Sequence, residues 1–217
     1  PILVGGTGLY FQSLIYGLVK IPEIPLKFRS KIRLIQKTNG QKKFYKKLLK
    51  IDPKVKKKFD PNDTQRTIRA FEVKSFTKIS MYEWLDKTKS EFKDDEFLKL
   101  YIDFKREDLI KRISLRVFKM IEAGAINEVK KFIKLKIKKE MSVNKVIGID
   151  ELTQYLDKKI NLDQAQELIS IKTRQYAKRQ ATWARSRMAD WKKINPTKID
   201  NFIKKLKKSS LKLDQLT

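Results

Sequence analysis

Two stretches of this chain read as strand, and they lie far apart. Residues 2–4 (ILV) are apolar and run straight into Gly5-Gly6-Thr7-Gly8. Residues 97–104 (FLKLYIDF) alternate apolar and polar side chains, the period of a half-buried strand. The other periodic segments carry the helical repeat. Two short strands cannot make a sheet with a core of its own. The pattern therefore constrains the fold to an α/β layer into which helices have been inserted, with further strands expected before Pro1. These 217 residues are predicted to be the C-terminal part of a longer protein, mostly helical over the span read here.

Residues 9–18 follow the glycines as a helix, closed by Pro22, Pro25 and polar neighbours. Residues 27–58 hold 14 basic side chains against one acid, Asp52, with Leu34, Phe44, Leu48, Leu49 and Ile51 spaced for short amphipathic helices. In FDPNDTQRTIRAFEV, residues 59–73, Asp60 is placed to cap a helix, Pro61 to fill its first turn and Asp63 to complement its dipole. That helix carries Ile68, Phe71 and Val73 and is predicted to run past Phe76. A long helix is expected over 106–135, with Leu109, Ile113, Val117, Met120 and Ile121 on one stripe and a break or bend at Gly124. A connector around Gly148 follows, then helices over 150–157 and 163–187. The domain expectation is a core of 1–20 with 91–195, a strand-free helical insert over 21–90, and a basic tail over 196–217 that forms a final helix or frays.

The chain has no Cys and no His. That removes disulfides, thiolate metal sites and the usual neutral-pH acid or base. A general base would have to be a carboxylate, a lysine or a tyrosine. No apolar run is long enough to span a bilayer, and no leader is read at the start. The net charge of +27 favours a polyanionic partner. The basic helices lack a wide apolar face with aromatic anchors, so nucleic acid is expected rather than a membrane surface. Of the 52 basic residues 41 are Lys, which suits any solvated face, and 11 are Arg. The arginines fall almost wholly in short clusters: Arg29/Arg33, Arg66/Arg69, Arg112/Arg116, Arg174/Arg179 and Arg185/Arg187. Arg supplies a planar donor fork, and so marks sites better than Lys does here.

Four stretches are candidate sites, each with a plainer alternative. Gly5 to Gly8 would let backbone N–H groups approach a phosphate at a helix N-terminus, with the Thr7 hydroxyl as a further donor; GGTG also suits any tight strand-to-helix turn. Arg112 and Arg116 lie one turn apart, with Arg116 expected at the edge of the apolar stripe. They would hold a diphosphate, or pair with Glu107, Asp108 or Glu122. Gln65, Arg66 and Arg69 share a face suited to bases and phosphates, or form an exposed helix with an Arg69–Glu72 pair. In TRQYAKRQATWARSR, residues 173–187, Arg174, Gln175, Lys178, Arg179, Thr182 and Arg185 fall within roughly 140° of the helical wheel, with Trp183 at the border. Ile169, Thr173, Ala177, Ala181 and Ala184 form the opposite, small-residue face. A basic face with amides and an indole suits structured RNA; the alternative is a solvated face.

Five ordered blocks, ILVGGTGLYFQSLIYGL, DPNDTQRTIRAFEV, RISLRVFKMIEAGAINEV, VIGIDEL and TRQYAKRQATWAR, also make the chain resemble the tRNA dimethylallyltransferases over residues 1–191. The resemblance implies the C-terminal part of a P-loop-like three-layer α/β core carrying an inserted all-helical tRNA-binding domain. The implied reaction moves the isoprenyl group of dimethylallyl diphosphate to N6 of the adenosine beside the anticodon. Thr7 would then line the reaction channel and touch the substrate nucleotide, with Arg116 and Arg112 on the diphosphate. Arg29, Gln65, Arg66, Arg69, Lys145, Gly148, Lys178, Arg179, Gln180, Thr182, Trp183 and Arg185 match tRNA-contacting positions. Asp150 departs from the pattern, standing where a basic residue is usual. The family's GxxxxGK[ST] diphosphate loop and its DS-type aspartate base do not occur in these 217 residues, so the isolated chain is expected not to prenylate tRNA. Mg²⁺ is expected in the full-length enzyme, with no metal ligand in this chain. The expected partner is the tRNA anticodon arm, and the expected setting a cytoplasmic monomer. An adenylate isopentenyltransferase and a non-catalytic RNA-binding remnant are the alternatives.

Overall fold

The structure is a computed structural model and describes residues 1–138 and 141–213. It divides into two compact units, Pro1–Gly8 with Leu98–Thr217, and Leu9–Phe97. The molecule is mostly helical with a small parallel sheet, an α/β arrangement. Among the described residues no helix is long and apolar enough to cross a membrane.

The unit Leu9–Phe97 is all helix. Helix α1 (Gly8–Tyr16) leads into it, as the apolar run after the glycines predicts. Helix α2 (Leu26–Ile51) contains one residue with non-helical dihedrals, Gly40, at φ 70° and ψ 162°. The expected short helices are thus two arms of one kinked element. Helix α3 (Thr64–Thr77) corrects the expected cap: Asp63, not Asp60, is the N-cap, accepting from the Arg66 amide at 3.0 Å. Asp60 instead accepts from the Asn62 amide at 2.8 Å, so its local Asx turn wins over helix entry and leaves Pro61 outside. Helix α4 (Met81–Asp86) is capped by Ser80. The core lies between α2 and α3, where Phe44, Leu48, Val55, Ala70 and Val73 are fully buried. Phe44 stacks on Phe71 with ring centroids 4.7 Å apart. A buried side chain of that size contributes roughly 1.5–3 kcal/mol through removal from water.

In the other unit, residues 2–4 form no strand and are exposed rather than buried; Ile2 is 92% and Val4 88% exposed. Among the described residues no strand lies beside them to take their backbone hydrogen bonds. Strand β1 (Leu100–Ile102) occupies only the middle of the expected segment and pairs in parallel with β2 (Lys192–Ile194), which the sequence did not announce. The expected helix over 106–135 is two helices, α5 (Arg106–Glu122) and α6 (Ala125–Lys134), parted by Gly124 at φ 100°. Helices α7 (Ile149–Leu156) and α8 (Leu162–Arg187) follow as expected. Val117, Ala125, Val129, Leu152, Ala165 and Ile169 form the shared core of α5 to α8. The tail begins as helix α9 (Ile199–Leu213); its residues 214–217 lie outside the described residues.

Candidate nucleic-acid interface

Helix α8 is firmly started. Asn161 accepts from the Gln164 amide at 2.8 Å, and the Gln164 side chain accepts from the Asn161 amide at 2.9 Å, a reciprocal cap. Asp163 in its first turn and Arg185 and Arg187 in its last suit the helix dipole. Ala165, Ile169, Ser170 and Ala184 are buried beneath it, while Lys178, Arg179, Thr182 and Arg185 are exposed. The Arg179 guanidinium stands 5.7 Å from the Tyr176 ring, and Arg185 donates to the Thr182 hydroxyl at 3.3 Å. Arg174 is held by Glu167 at 2.8 Å.

The half-buried members of this face, Gln180 and Trp183, meet the glycine turn. Gln180 donates to the Gly6 carbonyl at 2.9 Å across 174 residues of sequence. A methyl group at Gly8 would overlap the Trp183 indole, and one at Gly6 the end of Gln180. The glycines are therefore required by close approach of α8, and Thr7 stands exposed between them. Two motifs 174 residues apart in sequence are thus in contact, the glycine turn against the flank of the basic face of α8.

Gly148, at φ 108°, precedes α7 and is buried. Its amide donates to Glu151 Oε2 at 2.8 Å, and Lys172 of α8 pairs with the other oxygen of Glu151. Lys172 also lies 3.5 Å from Asp150, which accepts from the Gln154 side-chain Nε2 at 3.1 Å. Burial pushes the Glu151 carboxyl up, but the Lys172 ammonium and backbone amides, Gly148 among them, outweigh it and hold it below 4.5. Hydrogen bonding to Glu151 raises Lys172 above 10.5, against burial. Glycine has no side chain to complete a capping box, so only Glu151, three residues on, hinted at this bond in the sequence; Lys172 on another helix carried no signal. Lys145 is exposed on the preceding 3₁₀ turn.

Arg112 and Arg116 are both exposed on α5. Helix α5 buries Ile113 and Val117, and Arg116 shares a groove with Met120, which packs against that core. Arg112 lies 5.0 Å from the Phe104 ring. Together with Leu115, Lys119 and Met120 the two arginines line an open groove of about 460 Å³. Among the described residues neither pairs with Glu107, Asp108 or Glu122.

In the helical unit, Gln65 and Arg66 are exposed, and Arg66 lies 3.4 Å from Asp63. Arg69 pairs with Glu72 at 3.8 Å, as the plainer reading of this helix expects. Arg29 and Arg33 reach the same carboxylate at 3.6 and 3.8 Å. Among the described residues no three His, Cys, Asp or Glu side chains come together as a cation site.

A family model described as IPP transferase matches residues 1–187. The chain is 75% identical over 217 residues to a tRNA dimethylallyltransferase of Pelagibacter ubique, covering 100% of this chain and 69% of that protein. A tRNA dimethylallyltransferase of Rickettsia massiliae is 36% identical over 209 residues, covering 96% of this chain and 58% of the relative. Among solved structures, a eukaryotic dimethylallyltransferase acting on tRNA is similar at 32% identity and a TM-score of 0.69, over 85% of this chain and 47% of that one. A tRNA isopentenylpyrophosphate transferase from Bacillus halodurans is similar at 28% identity and a TM-score of 0.52, over 96% of this chain and 67% of that one. The chain thus spans between about half and about two thirds of these relatives.

Proposed function

The chain belongs to the IPP transferase family, and on that footing we propose that it serves tRNA dimethylallyl transfer, gripping the anticodon arm and supplying one wall of the reaction channel. The carrying observation is the meeting of the Gly5 to Gly8 turn with Gln180 and Trp183 beside an exposed row of Lys178, Arg179, Thr182 and Arg185. That arrangement sets backbone amides and a hydroxyl next to donors suited to RNA phosphates and bases.

In this reading adenine is flipped from its stack so that N6 is reachable. The N6 lone pair forms a bond to C1 of the dimethylallyl group as the C1–O bond breaks, and diphosphate leaves with the bonding electrons. Arg116 and Arg112 would take its developing charge, Thr7 would orient the nucleotide, and an aspartate outside these residues would accept the N6 proton. Arg29, Gln65, Arg66, Arg69, Lys145 and Gly148 would extend the grip. Among the described residues no three acidic side chains gather as a magnesium site. The host core would be P-loop-like, and the protein a cytoplasmic monomer.

The test is binding of the 217-residue chain to an anticodon stem-loop across a salt series. Each neutralised phosphate should contribute about −0.7 to −0.9 to the log–log slope. Arg66→Ala and Arg179→Ala should each lower affinity; salt-independent binding would end the RNA reading. The isolated chain should bind without turning over, and measurable prenylation by it would overturn that part.

A further inference from the structure

Only 2% of the Glu72 side chain is exposed, on the face of α3 that packs against α2. Three guanidiniums converge on it: Arg29 Nε at 3.6 Å, Arg33 Nε at 3.8 Å and Arg69 Nη1 at 3.8 Å. A buried carboxylate requires a counter-charge, and one cation supplies it. Three leave the cluster with surplus positive charge. Arg29 and Arg33 are one turn apart on α2, a pairing that repels, so nothing in helix formation alone favours bringing them together.

The three contacts are also longer than hydrogen bonds. Glu72 Oε1 and Arg29 Nε are buried without a hydrogen-bond partner. The Arg29, Arg33 and Arg69 side chains are 38%, 57% and 43% exposed. Each guanidinium has five N–H donors, and the carboxylate faces one edge atom of each. The cluster is anchored from below and leaves donors open above, the arrangement a tetrahedral oxyanion fits.

We propose that Glu72 is a positioning residue that gathers Arg29, Arg33 and Arg69 into one fork for a backbone phosphate of structured RNA. The proposal rests on the RNA-binding reading above. Without the buried charge the guanidiniums repel and swing apart, and the phosphate loses a prearranged set of donors.

The experiment titrates the 217-residue chain with an anticodon stem-loop RNA across a salt series. Failure of the unaltered chain to bind in a salt-dependent way would overturn the RNA reading itself, and this proposal with it. Given that binding, Glu72→Gln keeps the shape and adds net positive charge, yet should weaken binding about ten-fold, the scale of one charge-assisted hydrogen bond. It should also flatten the salt slope by about 0.7–0.9. In an Arg29→Ala, Arg33→Ala, Arg69→Ala background the same change should have no effect. Equal or tighter binding by Glu72→Gln overturns the proposal, as does an effect that persists without the arginines. If Glu72→Gln loses its helical circular dichroism, Arg33→Ala decides, since its side chain is the most exposed of the three. A flatter slope with Arg33→Ala supports the fork, and unchanged binding overturns it.

Discussion

Glu151 is 1% exposed and still held ionised below the ordinary glutamate range. Its partners are the Gly148 amide and Lys172, so one carboxylate ties the Gly148 turn to α8. Glu151→Ala should cost about 1–3 kcal/mol, the penalty of leaving a buried donor unpaired, read from urea unfolding. The folded pKa of Glu151 is depressed, so its stabilisation is present above 4.5 and is lost as pH falls through the lowered value. Lys172 is raised, so its contribution is full below 10.5 and is lost as pH rises through the higher value. Urea midpoints should therefore fall on the acid side of 4.5, and Glu151→Gln should flatten that limb. Asp150, which stands where the family resemblance leads to a basic residue, lies beside Lys172 and Gln154. The sequence shows the acid but not the lysine, because their contact is tertiary.

At the scale of elements, most helices were legible because capping residues and apolar spacing agree locally. The cap of α3 was misplaced by three residues because two aspartates compete within one turn, and only Asp63 reaches the Arg66 amide. Strand β2 was not legible: three residues, two of them lysine, become a strand only by pairing with Leu100–Ile102. Residues 2–4 show the converse, since a strand-like composition without a paired neighbour forms no strand and is exposed. The kink in α2 rests on Gly40, whose dihedrals lie in a region nearly exclusive to glycine. Nothing lies within 4 Å of a methyl group placed there, so Gly40→Ala should cost about 1–3 kcal/mol through backbone strain alone. Urea unfolding and circular dichroism would read it. Gly8→Ala acts differently, through collision with the Trp183 indole. It should shift tryptophan emission and weaken RNA binding, and both effects should vanish in a Trp183→Ala background. The glycine turn was visible in the sequence, but the α8 side chains that require it were not, because 174 residues separate Gly6 from Gln180.

At the scale of the whole molecule, the charge of +27 comes with no histidine. RNA affinity should fall steeply with salt yet stay nearly flat between about pH 6 and 8, where no ordinary side chain of this composition titrates. A marked change of affinity across that range would point to a shifted group on the interface. The two units also differ in how the chain reaches them: Leu9–Phe97 is one continuous stretch, whereas the other joins Pro1–Gly8 to Leu98–Thr217. During synthesis the continuous unit emerges whole and is free to fold first. The glycine turn must wait for Gln180 and Trp183 to leave the ribosome before it has anything to close against. The loop then closed is long, and its entropy cost falls on that final step. The surface proposed to meet RNA is thus completed late in the chain's history, after the helical unit is already able to hold a phosphate.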